Sequence, residues 1–239
     1  MALLSVENVT LRFGGIVAVD GVSLDVDEGA IVGLIGPNGA GKTTVFNIIT
    51  GLYRPNEGDL HFEGESLLKT PPFKIVDRGI ARTFQNVELF KTMTVLENVL
   101  VGAHSRFGSR SERGARARAQ EVIEYVGVAD VAGRPVSGLP YGTLKRVELA
   151  RALAAAPRLL LLDEPAGGLN HEEVAALGEM IRQLKVDFGL TVLLVEHHMG
   201  LVMSVSDHVH VLNFGETIAS GTPAEVQNDP AVIEAYLGA

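Results

Sequence analysis

The stretch GLIGPNGAGKTTVFNIITG, residues 33–51, decides the fold of this chain. It matches the pattern G-x-x-x-x-G-K-[ST] at Gly36, Gly41, Lys42 and Thr43. The apolar run before it predicts a strand, and the apolar spacing after it predicts a helix over Thr43–Ile49. Because this motif requires a strand before the loop and a helix after it, we predict a phosphate-binding loop, or P-loop.

The residue types of this loop suit a phosphate ligand. Glycines let backbone N–H groups turn inward around phosphate oxygens, and the N-terminus of the following helix adds partial positive charge. Lys42 supplies a point charge for the β- and γ-phosphates of a nucleotide, and the hydroxyl of Thr43 can ligate Mg²⁺. The motif therefore predicts a bound nucleotide with its magnesium ion.

The segment RLLLLDEP, residues 158–165, places two carboxylates at the end of an apolar run. A buried strand that ends at Asp163 brings this carboxylate to the carboxyl edge of the sheet, where open α/β sheets bind ligands. Asp163 can hold Mg²⁺, directly or through water, and Glu164 can orient and polarise an attacking water.

Two pairs of histidines lie in or after apolar runs. In TVLLVEHH, residues 191–198, a histidine at the end of a core strand can hydrogen-bond a γ-phosphate. Neighbouring residues of a strand point to opposite faces, so we predict that at most one of His197 and His198 faces the nucleotide. His208 and His210 share a face further on, where an ordinary strand surface is favoured over a metal site.

Apolar runs separated by helical patterns predict an α/β fold. The predicted strands lie in VTLRF (9–13), VSLDV (22–26), AIVGLIG (30–36), DLHFEG (59–64), RLLLLD (158–163), TVLLVE (191–196) and HVHVLNF (208–214). Helix starts are predicted at Thr94 and Thr222 and, with a capping box to Glu173, at Asn170. The stretch from about residue 88 to about 142 has helix signals and no clear strand, which predicts a helical insertion. The N-terminal strands and the segment EGDLHFEGE indicate a small antiparallel sheet.

Composition limits the class of function. Hydrophobic residues make up 46% of the 239 residues, and the absence of cysteine excludes disulfides and thiolate metal sites. A net charge of −9 opposes binding to a nucleic-acid backbone, so we expect no nucleic-acid partner. The longest apolar runs are far shorter than the roughly 20 residues that span a bilayer. Any role at a membrane is therefore expected to come through a partner.

The order of these motifs resembles the ATPase subunits of ATP-binding cassette (ABC) transporters. The P-loop, Gln85, the segment LPYGTLKR (139–146) and LLLLDEP (159–165) stand in the order found in that family, and the resemblance covers nearly the whole chain. It implies a P-loop NTPase core, a mostly parallel sheet with helices on both faces, joined by an antiparallel β-subdomain and an α-helical subdomain. It also implies one domain over 1–239, with its helical insertion at about 88–142.

The resemblance implies ATP and Mg²⁺ as ligands and a role for each matching residue. Gln85 corresponds to the glutamine that contacts Mg²⁺ and the water, Asp163 to the metal-binding aspartate, and Glu164 and His197 to the catalytic glutamate and the switch histidine. Phe13 lies where an aromatic ring stacks on adenine. The Walker A loop comprises Gly36, Pro37, Asn38, Gly39, Ala40, Gly41, Lys42, Thr43 and Thr44, with Lys42 on the phosphates and Thr43 on the metal.

The segment LPYGT, Leu139–Thr143, occupies the place of the family's signature motif, usually written LSGGQ. In the family, this helix N-terminus binds the γ-phosphate held by the opposite subunit, and uncapped N–H groups suit that role. Leu139, Tyr141 and Gly142 are therefore expected to contact nucleotide across a dimer. Pro140, Tyr141 and Thr143 depart from the usual motif, and this half-site is expected to be weaker.

Further segments, including ARTFQNVELFKTMTVLENVLVGAH and DEPAGGLN, are similar to those of ATPase subunits of branched-chain amino-acid importers. This implies an identical or different second ATPase subunit, membrane permeases, and indirectly a periplasmic or extracellular solute-binding protein. The expected location is the cytoplasmic face of the cell membrane, held there peripherally by the permeases. Urea, short amides and other small organic compounds remain open as solutes. A non-transport ABC ATPase and a purely regulatory nucleotide-binding module remain open as functions.

Overall fold

The computed structural model describes residues 2–107 and 111–237. Its strands are β1 (Ala2–Phe13), β2 (Ile16–Asp27), β3 (Ile31–Ile35), β4 (Glu57–Phe62), β5 (Glu65–Ser66), β6 (Ile80–Arg82), β7 (Leu159–Asp163), β8 (Thr191–Val195), β9 (His208–Asn213) and β10 (Glu216–Gly221). Its helices are α1 (Lys42–Ile49), α2 (Val95–Phe107), α3 (Glu112–Tyr125), α4 (Tyr141–Ala154), α5 (His171–Phe188), α6 (Met199–Val205), α7 (Pro223–Gln227) and α8 (Pro230–Leu237).

These strands form two sheets. The larger has the order β10-β9-β3-β8-β7-β6, and every pair in it is parallel except β9 with β10. The smaller has the order β2-β1-β4-β5 and is antiparallel throughout. Because β3, β8 and β7 are neighbours, the loops that follow them open at one edge of the larger sheet.

Burial on both faces explains the continuous apolar runs of the central strands. All five residues of β3, β7 and β8 are buried. On one face, Leu159 and Leu161 pack with residues of α1 and the smaller sheet. On the other, Leu160 and Leu162 pack with residues of α4, α5 and α6. The predicted fold class, a mostly parallel sheet between helices with an antiparallel sheet beside it, is confirmed.

Three helices, α2, α3 and α4, pack on one another beside this core. The first two lie within the stretch predicted as an insertion, whereas α4 begins at Tyr141 and continues to Ala154. The division into one domain with an insertion at about 88–142 stays a prediction. No helix in the described part of the chain is both long and apolar enough to cross a membrane.

The helix starts predicted from local capping patterns are confirmed. Asn170 accepts from the backbone N–H of Glu173, whose side chain accepts from the Asn170 backbone N–H, so the predicted capping box is present. Reciprocal bonds of the same kind start the helices after Thr94 and Thr222. Two strands escaped prediction, because β6 has only three residues and β10 reads ETIASG, without an apolar alternation.

Candidate functional site

The loop between β3 and α1 is built around close backbone contacts. Gly36 has φ 151°, and a Cβ there would lie 2.1 Å from the carbonyl oxygen of Leu212. Gly41 has φ 103°, and a Cβ there would lie 2.8 Å from the carbonyl oxygen of Ala18. Only glycine fits these two positions, and the loop is therefore held between β9 on one side and β2 on the other.

Lys42 is directed back into this loop. Its Nζ donates to the carbonyl oxygens of Gly36 at 2.8 Å and Pro37 at 2.9 Å, and the residue is only 6% exposed. Burial lowers the pKa of Lys42, and the carboxylates of Glu164 and Asp163 oppose that shift. The predicted phosphate-binding lysine thus lies near both predicted acidic residues. Of the other predicted metal and loop residues, Thr43 is exposed, and Thr44 is partly buried.

Asp163 ends β7 with one oxygen engaged and the other free. Arg82 Nη2 donates to Asp163 Oδ2 at 2.6 Å, in a pair whose side chains are almost completely buried. Asp163 Oδ1 is buried and has no hydrogen-bond partner among the described residues. A buried carboxylate oxygen without a donor is costly, so this atom suits a cation.

A magnesium ion fits this arrangement only together with a phosphate ligand. Within residues 2–107 and 111–237, no group of three or more His, Cys, Asp or Glu side chains is arranged to hold a metal by itself. Mg²⁺ is commonly held by one or two protein oxygens together with waters and substrate phosphates. Asp163 Oδ1 and the hydroxyl of Thr43, an exposed residue, are oxygen ligands of that type.

Glu164 is the centre of a cluster of three predicted catalytic residues. Gln85 Nε2 donates to Glu164 Oε2 at 2.7 Å, and His197 Nδ1 lies 3.6 Å from the same oxygen. Gln85 uses its amide nitrogen for this contact and not its carbonyl oxygen, the atom that could ligate a metal. Glu164 has φ 46°, a left-handed conformation that is unusual for a residue other than glycine. The structure therefore brings together residues that lie far apart in sequence.

The prediction that His197 and His198 alternate across a strand is wrong. The strand β8 ends at Val195, so both histidines lie in the loop beyond it. His198 Nδ1 accepts from the backbone N–H of Leu201 at 3.2 Å and caps α6, whereas His197 is largely exposed beside Glu164. One histidine is consequently available to a ligand, for a different reason from the one predicted.

Phe13 lies at the end of β1, 46% exposed, and meets Tyr53 edge to face with ring centroids 5.1 Å apart. The paired strand β2 contains Ala18, which approaches Gly41 of the P-loop. An exposed aromatic ring fixed in this way can stack on a nucleobase. No local pattern marks Tyr53 in the sequence, because its contact with Phe13 depends on the fold.

The predicted signature segment lies at the start of α4. Pro140 is the N-cap, and no side chain of the described residues caps this helix end. The ring of Tyr141 packs against Gly168, and Gly142 faces Glu173 Oε1. Leu139 is buried and Tyr141 is exposed. These neighbours place the segment next to the start of α5.

Two contributors to the site were missed from the sequence. Arg82 holds Asp163 and stacks on the rings of Phe46 and Phe84, but its partner Asp163 lies 81 residues away. Glu196 is buried directly after β8. An acidic residue at the end of an apolar strand was the signal that revealed Asp163, and the same signal marks Glu196.

Comparison with known proteins gives consistent results. The family described as ABC transporter matches residues 19–167, and the one described as branched-chain amino acid ATP-binding cassette transporter matches residues 216–239. The chain is 46% identical to the high-affinity branched-chain amino acid transport ATP-binding protein BraF of Pseudomonas aeruginosa, over 99% of this chain and 98% of BraF. It is 44% identical to the corresponding protein LivG of Escherichia coli, with the same coverage.

Solved structures of similar proteins share the fold over at least 92% of this chain. An ATP-binding cassette of an ABC transporter in its ADP conformation superposes with a TM-score of 0.90 at 34% identity, covering 100% of both chains. A dimeric cassette in a post-hydrolysis state, bound to ADP and phosphate, gives a TM-score of 0.82 at 28% identity, covering 92% of this chain and 98% of that one.

Proposed function

The chain belongs to the ABC transporter family, and from this premise we propose that it is the ATP-hydrolysing subunit of an importer for branched-chain amino acids. The observation that carries the catalytic part is the convergence of Gln85 and His197 on one carboxylate oxygen of Glu164. This cluster adjoins Asp163, which ends the strand before it, and lies near Lys42 of the P-loop.

Lys42 and each residue of the cluster around Glu164 have a chemical task in hydrolysis. Lys42 binds the β- and γ-phosphates through its charge. Glu164 orients a water and accepts its proton as the water oxygen attacks the γ-phosphorus, so that the bond to the leaving ADP oxygen breaks and phosphate is released. His197 donates a hydrogen bond to the γ-phosphate, and Gln85 fixes the rotamer of Glu164 through the 2.7 Å bond.

When bound, magnesium neutralises charge on the β- and γ-phosphates. The residues that would hold it are Thr43 and Asp163, with Gln85 as the third predicted contact. Arg82 occupies only one oxygen of Asp163 and leaves Oδ1 for this purpose. Phe13, steadied by Tyr53, would stack on the adenine.

Membership of the family implies that the ATP-binding subunits dimerise and work with membrane permeases. In the dimer, Leu139, Tyr141 and Gly142 would contact the nucleotide of the neighbouring chain through the uncapped start of α4. The neighbour is an identical or a second ATPase chain. A solute-binding protein outside the membrane would take part only through the permeases, and this chain would lie peripherally on the cytoplasmic face of the membrane, held there by the permeases.

A groove next to Gln85 suits a permease segment. It has a volume of about 480 Å³ and is lined mainly by apolar side chains, with Arg82, Glu88 and Arg151 among the lining residues. Phe84 and Phe90 on its wall are both exposed, and Phe84 directly precedes Gln85. An apolar helical segment of the permease seated here would contact the chain beside the catalytic cluster.

The experiment that tests this function compares solutes and turnover in one assembly. The chain is purified with its permeases and reconstituted in vesicles, and uptake of labelled leucine, isoleucine and valine is measured with Mg-ATP on the cytoplasmic side. Uptake of these amino acids that disappears in Glu164→Gln supports the proposal. Uptake of urea or a short amide instead would reassign the solute, and ATP turnover without any uptake would indicate a non-transport ATPase.

A further inference from the structure

We propose that Glu196 is a positioning residue that holds Glu164 and His197 at their working separation. Glu196 is 0% exposed and directly follows β8. Its Oε1 accepts from the backbone N–H of Ala166 at 2.7 Å, and its Oε2 accepts from the backbone N–H groups of His197 at 2.9 Å and His198 at 3.0 Å. The inference rests on the proposed function, in which Glu164 and His197 act on ATP.

Burying a carboxylate costs more free energy than a purely structural contact between two loops requires. The carboxylate must be removed from water, and it is retained only where donors compensate for the lost hydration. Here the compensation comes from three backbone N–H groups, and within the described chain no lysine or arginine forms an ion pair with Glu196. Each carboxylate oxygen thus serves a different loop.

The two loops are the ones that position the catalytic cluster. Ala166 lies two residues after Glu164, and the Glu164 N–H donates to the Val195 carbonyl oxygen at 2.8 Å. The backbone N–H of His197 donates to the other carboxylate oxygen of Glu196, Oε2. Glu196 therefore connects the loop of Glu164 to the loop of His197, whose side chains lie 3.6 Å apart.

The left-handed backbone conformation of Glu164 explains why the link that Glu196 makes between the two loops matters for catalysis. A non-glycine residue at φ 46° persists only where neighbouring contacts determine it. The Ala166 bond is such a contact, because it fixes the chain just beyond Glu164. Loss of that bond leaves Glu164 free to relax away from His197, without any change in the P-loop that binds the phosphates.

Two substitutions break this connection while keeping a polar side chain of suitable size. Glu196→Gln keeps the volume, but its single carbonyl oxygen can serve one loop only, and its NH₂ group faces the N–H donors of the other. Glu196→Asp keeps the charge and can still accept from the N–H groups that follow it, but it is one methylene too short for Ala166. We expect both variants to lower kcat about tenfold, as for loss of a buried hydrogen-bond partner.

The measurements are made on the full chain purified with its permeases. Single-turnover hydrolysis of radiolabelled ATP, followed for hours so that slow variants remain measurable, gives the rate, and titration with a fluorescent ATP analogue gives the affinity. We expect the affinity to stay within about twofold, because the hydrogen bonds of Glu196 within the described chain go to Ala166, His197 and His198 and not to the P-loop. Glu225→Gln is the control, since the Glu225 side chain also accepts a backbone N–H bond, from Thr222, but belongs to the capping box of α7. It should turn over ATP at the unmodified rate.

A double-mutant comparison separates positioning from general stability. If Glu196 acts through His197, Glu196→Gln should slow His197→Ala by less than about twofold further. An unchanged kcat in both Glu196 variants, with His197→Ala slow, would overturn this inference and leave the proposed function standing. An equal slowing by Glu196→Gln in the presence and absence of His197 would overturn the joint positioning of the two residues, because Glu196 would then act on Glu164 alone. Normal turnover in His197→Ala would instead remove the catalytic role of His197 on which both proposals rest.

Discussion

Lys42 is the residue on which nucleotide affinity should depend most. Its buried ammonium group is held among the loop carbonyls of Gly36 and Pro37. Lys42→Ala removes the charge that faces the phosphates, and losing one partner of a close charge pair costs about 2 kcal/mol or more. We expect the affinity for ATP to fall at least about thirtyfold in a fluorescence titration. Lys185→Ala, which removes a lysine paired with Asp207 on the surface, is the control; equal affinity in both variants would contradict the assignment of Lys42.

Functional residues were predictable from the sequence wherever a short local motif identifies them. Lys42 follows from its motif, and Asp163 and Glu164 follow from the apolar strand that ends at them. Arg82 and Glu196 did not follow, because their contacts join segments 81 and 30 residues apart. A single sequence contains no record of such pairings, so the partners of Arg82 and Glu196 are recognised only once the sheet has brought them together, although the end of an apolar run marks Glu196 itself.

Among the secondary-structure elements, strands with a local apolar pattern were predicted, and strands that depend on contacts with distant segments were missed. The strands β3, β7 and β8 are buried on both faces and therefore read as continuous apolar runs. In contrast, β6 and β10 lie at the two edges of the larger sheet, where fewer apolar residues are required. Their positions depend on the register of a neighbouring strand, which the sequence alone does not state.

Close packing of α2 on α4 predicts a large effect of one methyl group. A Cβ at Gly102 would lie 1.9 Å from the carbonyl oxygen of Arg151, so Gly102→Ala must push the two helices apart. We expect the free energy of unfolding to fall by about 1–3 kcal/mol, measured by urea denaturation. Gly133→Ala is the control, because a Cβ there would have nothing within 4 Å. Similar stability of the two variants would show that α2 and α4 are not in close contact.

The pair of strands β9 and β10 should make stability depend on pH. Burial and the neighbouring ring of His208 lower the pKa of His210 from 6.5 to about 4. Ser220 Oγ lies 3.0 Å from His210 Nδ1, and the Asp25 carbonyl oxygen lies 3.4 Å from Nε2. The unfolded chain takes up a proton on His210 near pH 6.5, whereas the folded chain resists protonation down to about pH 4. The free energy of unfolding should therefore fall by up to about 3 kcal/mol as the pH drops through this window.

Replacing the imidazole of His210 isolates its contribution to the pH dependence of stability. In His210→Gln the decline between about pH 7 and pH 4.5 should be shallower than in the unmodified protein, as measured by urea denaturation at each pH. His104→Gln, which replaces an exposed histidine on α2, should keep the original slope. A parallel decline in His210→Gln and the unmodified protein would mean that the environment of His210 does not disfavour its charged form.

For the whole molecule, the position of the α4 start argues that one chain is half of a working site. The uncapped helix end lies against Gly168 and Glu173, whereas Lys42 lies near Asp163 and Glu164. A γ-phosphate bound at Lys42 would need a second chain to present its own Tyr141 and Gly142. ATP bound between the two chains would stabilise the dimer, and hydrolysis of the ATP would remove that stabilisation. A variant that cannot hydrolyse ATP is therefore predicted to accumulate as a closed dimer.

Glu164→Gln tests this prediction, because it removes the proton acceptor but keeps the shape of the side chain and the hydrogen-bonding neighbour Gln85. We expect size-exclusion chromatography to give a monomer without nucleotide and a dimer with Mg-ATP. Chelation of the metal with EDTA should return the dimer to monomer, because the phosphate charge is then no longer neutralised beside Asp163. Adding Lys42→Ala to the same chain should prevent dimer formation, which ties the effect to the P-loop. A monomer that persists with Mg-ATP demonstrably bound would exclude the closed pair for two copies of this chain, and repeating the measurement with a second ATPase subunit, co-purified from membranes, would then decide whether the partner is a different chain.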